Sequence, residues 1–174
     1  MSAPPLKLRR ASVAVEVGEL LDYSDHERQK WRDWIAADPK RLDVPFQMGG
    51  RFPTAGSILD HTFLVERRHL SRLQGGTPPD RTGVAHGDWK ALFEYADLVR
   101  ADLRKYVADI SEDVASQPMT IVVQSGSRTM TRRQLVTHIV LHEIRHFAQL
   151  AYAARAAGHV PPGEHDIFYF VGTA

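Results

Sequence analysis

Three histidines recur at every fourth position in the segment Thr137-His138-Ile139-Val140-Leu141-His142-Glu143-Ile144-Arg145-His146. Residues four apart on a helix stand one turn above each other on the same face. Two imidazoles so placed can direct ring nitrogens at one point, about 2.0–2.1 Å from a Zn²⁺ ion. One helix supplies two such ligands well and a third poorly, because eight residues rise by about 12 Å. Two of these three histidines are therefore expected to bind, with a third ligand coming from another helix.

His61 is the candidate for that third ligand. It falls on the same helical side as Ile58, Leu64 and Val65, and an imidazole on a buried helix face needs a partner for its polar atoms. Its sequence neighbours Asp60 and Glu66 read as supports for a ligand imidazole or as a solvated surface pair. Residues 142–146 also spell His-Glu-x-x-His, in which Glu143 would activate a zinc-bound water. No Glu-bearing helix follows at suitable spacing, and no metzincin extension is present, so a protease is not the expected reading. His26, His69, His86, His159 and His165 fall on polar faces or in loops and read as solvated. Trp31, Trp34 and Trp89 read as core or rim packing.

The chain has no cysteine among its 174 residues, so disulfides, thiolate metal sites and a Cys nucleophile are excluded. Any metal must be held by His, Asp or Glu, and nine histidines are available. Hydrophobic residues make up 43% and charged residues 25%, as in an ordinary globular protein. A net charge of +1 gives no pull toward nucleic acid or an anionic membrane surface. No stretch approaches the ~20 apolar residues that span a bilayer, and Met1 to Arg10 has no apolar core for a signal peptide. The expectation is a cytoplasmic protein without a membrane or nucleic-acid partner.

Four segments carry helical periodicity and must position these residues. The first runs from about Val13 to Ala37 and stops at Asp38-Pro39. The second starts near Ser57, where Ser57-Ile58-Leu59-Asp60 reads as a variant capping box, and stops at Gly75-Gly76. The third runs from about Asp88 to Ile110. A hairpin follows, with Met119 to Gln124 as one strand, Ser125-Gly126-Ser127 as the turn and Arg128 to Thr131 as the return. The fourth helix opens with the capping box Thr131-Arg132-Arg133-Gln134 and runs to about Ala157, capped by Gly158. Four amphipathic helices bury their stripes only against one another, which predicts an all-α four-helix bundle with a short β-hairpin before the last helix. One domain spans residues 1–174, with residues 1–12 as a flexible N-terminus. Residues 159–174 form a tail whose Ile167-Phe168-Tyr169-Phe170 docks on the bundle.

This pattern resembles the DinB-like superfamily, named for damage-inducible proteins and including metal-dependent thiol S-transferases. The resemblance covers nearly the whole chain. Its carriers are an inward His near residue 60, the hairpin leading into a Thr-started helix, the run His138-x-x-x-His142-x-x-x-His146 and the aromatic tail. Phe147-Ala148-Gln149 stands where the family pattern resembles Arg-Gly-Gln. The resemblance implies a divalent transition metal on His61, His142 and His146, with His138 and Glu143 as neighbours. Neutral imidazoles favour zinc, nickel, copper or iron over magnesium or calcium, and zinc or nickel is the expected metal, with iron or copper as the alternatives. Three protein nitrogens leave a position open for water or substrate. The implied activity is thiol S-transfer with a low-molecular-weight thiol, or metal-assisted hydrolysis. The alternative is a non-catalytic metal-binding or stress-response bundle. The family name alone suggests DNA, but Arg132 and Arg133 read as solvated surface and no recognition motif is present. A homodimer is an expectation drawn only from the exposed aromatic edge.

Overall fold

The structure is a computed structural model and describes residues 16–46, 52–123 and 126–171. Four long helices dominate it: α1 (Val17–Ala37), α2 (Ala55–Leu73), α3 (Trp89–Asp109) and α5 (Arg132–Ala156). A single turn, α4 (Glu112–Ala115), and the antiparallel hairpin β1 (Pro118–Val123) and β2 (Gly126–Thr131) lie between α3 and α5. The short α6 (Ile167–Val171) ends the described chain. The all-α bundle with its hairpin is thus the observed architecture. No helix among the described residues is long and apolar enough to cross a membrane.

Local chemistry sets the helix ends. Thr131 opens α5 with a reciprocal box: the Gln134 amide donates to Thr131 Oγ1 at 3.2 Å and the Thr131 amide to Gln134 Oε1 at 2.8 Å. Gly158 closes the same helix in the left-handed conformation, φ +81°. The His159 amide there reaches back to the Ala154 carbonyl at 2.8 Å. Asp88 caps α3 by accepting from the Ala91 amide at 3.0 Å. The start of α2 differs from expectation. Thr54, not Ser57, is the capping residue, and Ser57 Oγ accepts from the Thr54 amide at 2.9 Å. A serine hydroxyl fills the acceptor role that Glu or Gln usually takes. The first helix is described from Val17, so residues 13–15, assigned to it from sequence, lie outside the described residues, as do residues 1–12. In the hairpin Val123 pairs with Gly126 and Val122 with Ser127, so Gly126 and Ser127, read as turn residues, belong to the second strand, while Gln124 and Ser125 lie outside the described residues.

The bundle interior has three layers. One apolar cluster holds Trp31, Phe63, Phe93 and Phe147, and another holds Leu21, Leu70, Leu103, Leu135 and Ile139. Each long helix carries a buried charged or hydroxyl residue at or next to the boundary between its contributions to the two clusters. These are Ser24 and Arg28 on α1, Glu66 on α2, Arg100 on α3 and Glu143 on α5, all buried. Arg28 reaches Glu66 at 2.6 Å and Glu143 at 2.7 Å, and Arg100 reaches Glu66 at 2.8 Å and also pairs with Glu143. Two guanidinium groups and two carboxylates neutralise one another, which makes such a layer tolerable away from water.

The tail docks differently from an apolar run. Phe170 packs near Tyr23 (5.8 Å between ring centres) and His26 (5.4 Å), whereas Phe168 and Tyr169 are exposed. Polar anchors hold the preceding segment: Trp34 Nε1 donates to the Val160 carbonyl at 2.8 Å and the Tyr23 hydroxyl to the His165 carbonyl at 2.6 Å.

Candidate metal centre

Helix α2 carries His61 and helix α5 carries His142 and His146, and these two helices pack together. One ligating ring atom from each of the three residues lies within 4.8 Å of the other two. The His61 ring centre is 5.3 Å from that of His142 and 5.3 Å from that of His146, and the latter pair are 4.3 Å apart. All three are half-buried. In a tetrahedral site with metal–nitrogen bonds of 2.0–2.1 Å, ligand nitrogens sit roughly 3.4 Å apart. Small rotations of the rings would bring this triangle to that size.

Protonation fits a metal as well. His146 Nδ1 lies 2.6 Å from Gln149 Oε1. An amide oxygen only accepts, so Nδ1 carries hydrogen and the neutral ring presents a lone pair at Nε2. That Nε2 is 3.0 Å from His142 Nε2. Two imidazoles thus aim their Nε2 atoms at one small volume, which a cation suits and a second proton does not. Burial drives the His142 pKa down to about 2, helped by the nearby His146, His61 and His138. Burial also lowers the His146 pKa, against the opposing Gln149 bond. Both act in favour of the neutral, ligating form.

The triangle opens on the surface. His61 lines two clefts, one of about 1190 Å³ and one of about 540 Å³. The larger is walled by a half-buried stripe of α2 and by β1, and the smaller by the loop from Asp80 to Asp88. Phe52 covers one side of His61, with ring centres 4.3 Å apart.

The other residues singled out from sequence fall elsewhere. Glu143 lies about 60–100° round the helix from His146 and His142. Its carboxylate is only 1% exposed and is taken up by Ser24, Arg28 and Arg100. It is unavailable as a general base in the sense of the His-Glu-x-x-His motif. Glu66 joins the same buried layer instead of supporting His61. Asp60 accepts from the Thr82 hydroxyl at 2.5 Å and so holds the loop beside the smaller cleft. His138 is exposed and stands next to His142, 5.6 Å between ring centres. On its other side it meets His69 at 5.2 Å, edge to face.

Two histidines read as solvated are not. His69 is buried at 8% exposure, and burial, then His138 and two arginines, depress its pKa to about 4. His165 is half-buried, stacked on Trp31 at 5.3 Å and paired with Glu27. Gln149 supports His146, and its spacing of three from that histidine is the sequence signal for the role.

No curated protein matches the chain significantly. The family model described as the DinB family matches residues 11–170. With that match over nearly its whole length, the chain belongs to the DinB family.

Proposed function

We propose that His61, His142 and His146 hold one divalent transition metal, zinc or nickel in the first instance, and that the protein is a metal-dependent enzyme acting on a small molecule. The observation that carries this reading is the convergence of three imidazole rings, one ligating atom of each within 4.8 Å of the others, beside two open clefts. A closed structural site would surround the ion with four protein ligands, whereas three leave room for an exchangeable one. Bound there, such a metal supplies Lewis acidity that lowers the pKa of a coordinated water or stabilises a thiolate.

The chain's own residues have separate tasks. Gln149 fixes the His146 tautomer, Phe52 shields one side of His61, and the clefts admit the substrate. Glu143 is committed to the bundle interior, so the proton released by a bound thiol or water passes to solvent or to another group beside the clefts, not to Glu143. This favours thiol S-transfer over hydrolysis, because a thiol gives up its proton to solvent far more readily than water does. The test is titration of Co²⁺-loaded protein with small thiols. A new thiolate-to-cobalt absorption band supports the reading. Spectral silence with every thiol counts against thiol S-transfer and favours a non-catalytic metal-binding bundle.

A further inference from the structure

Outside the histidine triangle, the larger cleft has a feature that metal binding does not use. On α2, residues 61, 65, 68 and 72 recur at steps of three and four and form one stripe, all lining this cleft. The stripe starts at His61 and ends in two arginines. By helix geometry Arg68 stands about 10 Å and Arg72 about 16 Å along the axis from His61.

These arginines are placed unlike the others. Six described arginines, Arg28 and Arg100 among them, each meet a carboxylate. Arg68 instead donates Nε to the Pro79 carbonyl at 2.8 Å and Nη2 to the Asp80 carbonyl at 2.6 Å. Those bonds orient the group and leave its charge unneutralised. Asp80 lines the same cleft, but it is its backbone oxygen that receives Arg68. Arg72 is half-buried and has a single contact within hydrogen-bond reach, Nη1 to His69 Nδ1 at 3.4 Å. No carboxylate pairs with it among the described residues. Burial, then the like charge of Arg68, lowers its pKa. His69 beneath is kept neutral, so it adds no further positive charge. Two guanidinium groups one turn apart, half-buried and with no carboxylate in ion-pair contact among the described residues, form a ready site for an anion.

The geometry points to Arg72 and Arg68 as an anion subsite, so that the molecule bound in this cleft carries a carboxylate or phosphate group remote from the atom that meets the metal. This rests on the metal reading for its polarity, since the cleft runs from His61 to the arginines. It narrows the substrate or co-substrate to an elongated anion, and excludes small neutral molecules as its best ligands.

The full-length chain, treated with chelator so that phosphate cannot meet a metal, is titrated with inorganic phosphate and, separately, with succinate. Arginine side-chain Nε–H resonances report the contact, and calorimetry the affinity. The expected result is saturable binding that moves the Arg72 resonance, weakened about tenfold or more in Arg72→Gln and unchanged in Arg155→Gln, whose side chain is exposed on α5. Arg72→Lys keeps the charge and retains part of the affinity, which separates loss of the site from loss of the fold. Whichever anion saturates first identifies the group recognised. Absence of saturation by both anions, or Arg72→Gln binding like wild type, overturns the subsite. Metal content is read on the same wild-type preparation before chelation. Anion binding without a metal there counts against the metal reading and leaves the subsite standing.

Discussion

Glu66 and Glu143 are held by the same side chain: Arg28 donates Nη2 to Glu66 at 2.6 Å and Nε to Glu143 at 2.8 Å. One carboxylate belongs to α2 and the other to α5, the two helices that bring His61 against His142 and His146. Arg100 repeats the bridge from α3. The buried layer therefore ties the registers of the ligand-bearing helices to each other, within about one and a half turns of the ligands themselves.

Removing one member of this layer leaves an uncompensated buried charge. Glu143→Ala is expected to lower the unfolding free energy by about 3–5 kcal/mol, and denaturant unfolding of the metal-free protein measures it. A cost below about 1 kcal/mol, the size seen for exposed ion pairs, would show that the layer is solvated.

Gln149 acts through His146. Gln149→Ala frees the Nδ1 hydrogen and loosens the ring, so metal affinity should fall by about 10–100-fold. Stability of the metal-free protein should change little. Competition against a chromogenic chelator reads the affinity. Unaltered affinity would mean that the 2.6 Å contact does no orienting.

His69 gives a pH dependence of known sign. Its folded pKa, about 4, lies below the ordinary value of 6.5. The unfolded chain therefore binds more protons between those values, and stability falls as pH drops through that window. At 1.36 kcal/mol per pKa unit, the loss from this group between pH 7 and pH 5 is about 2 kcal/mol. Unfolding of the metal-free protein at the two pH values should show a smaller drop in His69→Gln than in wild type. Equal drops would place the imidazole in solvent.

Local signals carried the framework well. The His-x-x-x-His spacing, the Thr131–Gln134 box and Gly158 each depend on residues within one or two turns, and each stands where its spacing implied. The interior charges did not declare themselves, because Arg28, Arg100, Glu66 and Glu143 look like solvated residues until four helices converge. The same non-local packing buries His69 and brings His165 under Trp31. Thr54 carries no clear capping signal in the sequence because its partner, Ser57, is not the Glu or Gln of the usual box.

The most direct test is metal content per chain in the wild type beside His61→Ala, His142→Ala and His146→Ala, with His138→Ala as the comparison. The site predicts about one metal per wild-type chain, loss of most of it in each of the first three variants, and retention in His138→Ala. Full occupancy in His61→Ala would contradict the convergence of α2 and α5 on a single ion.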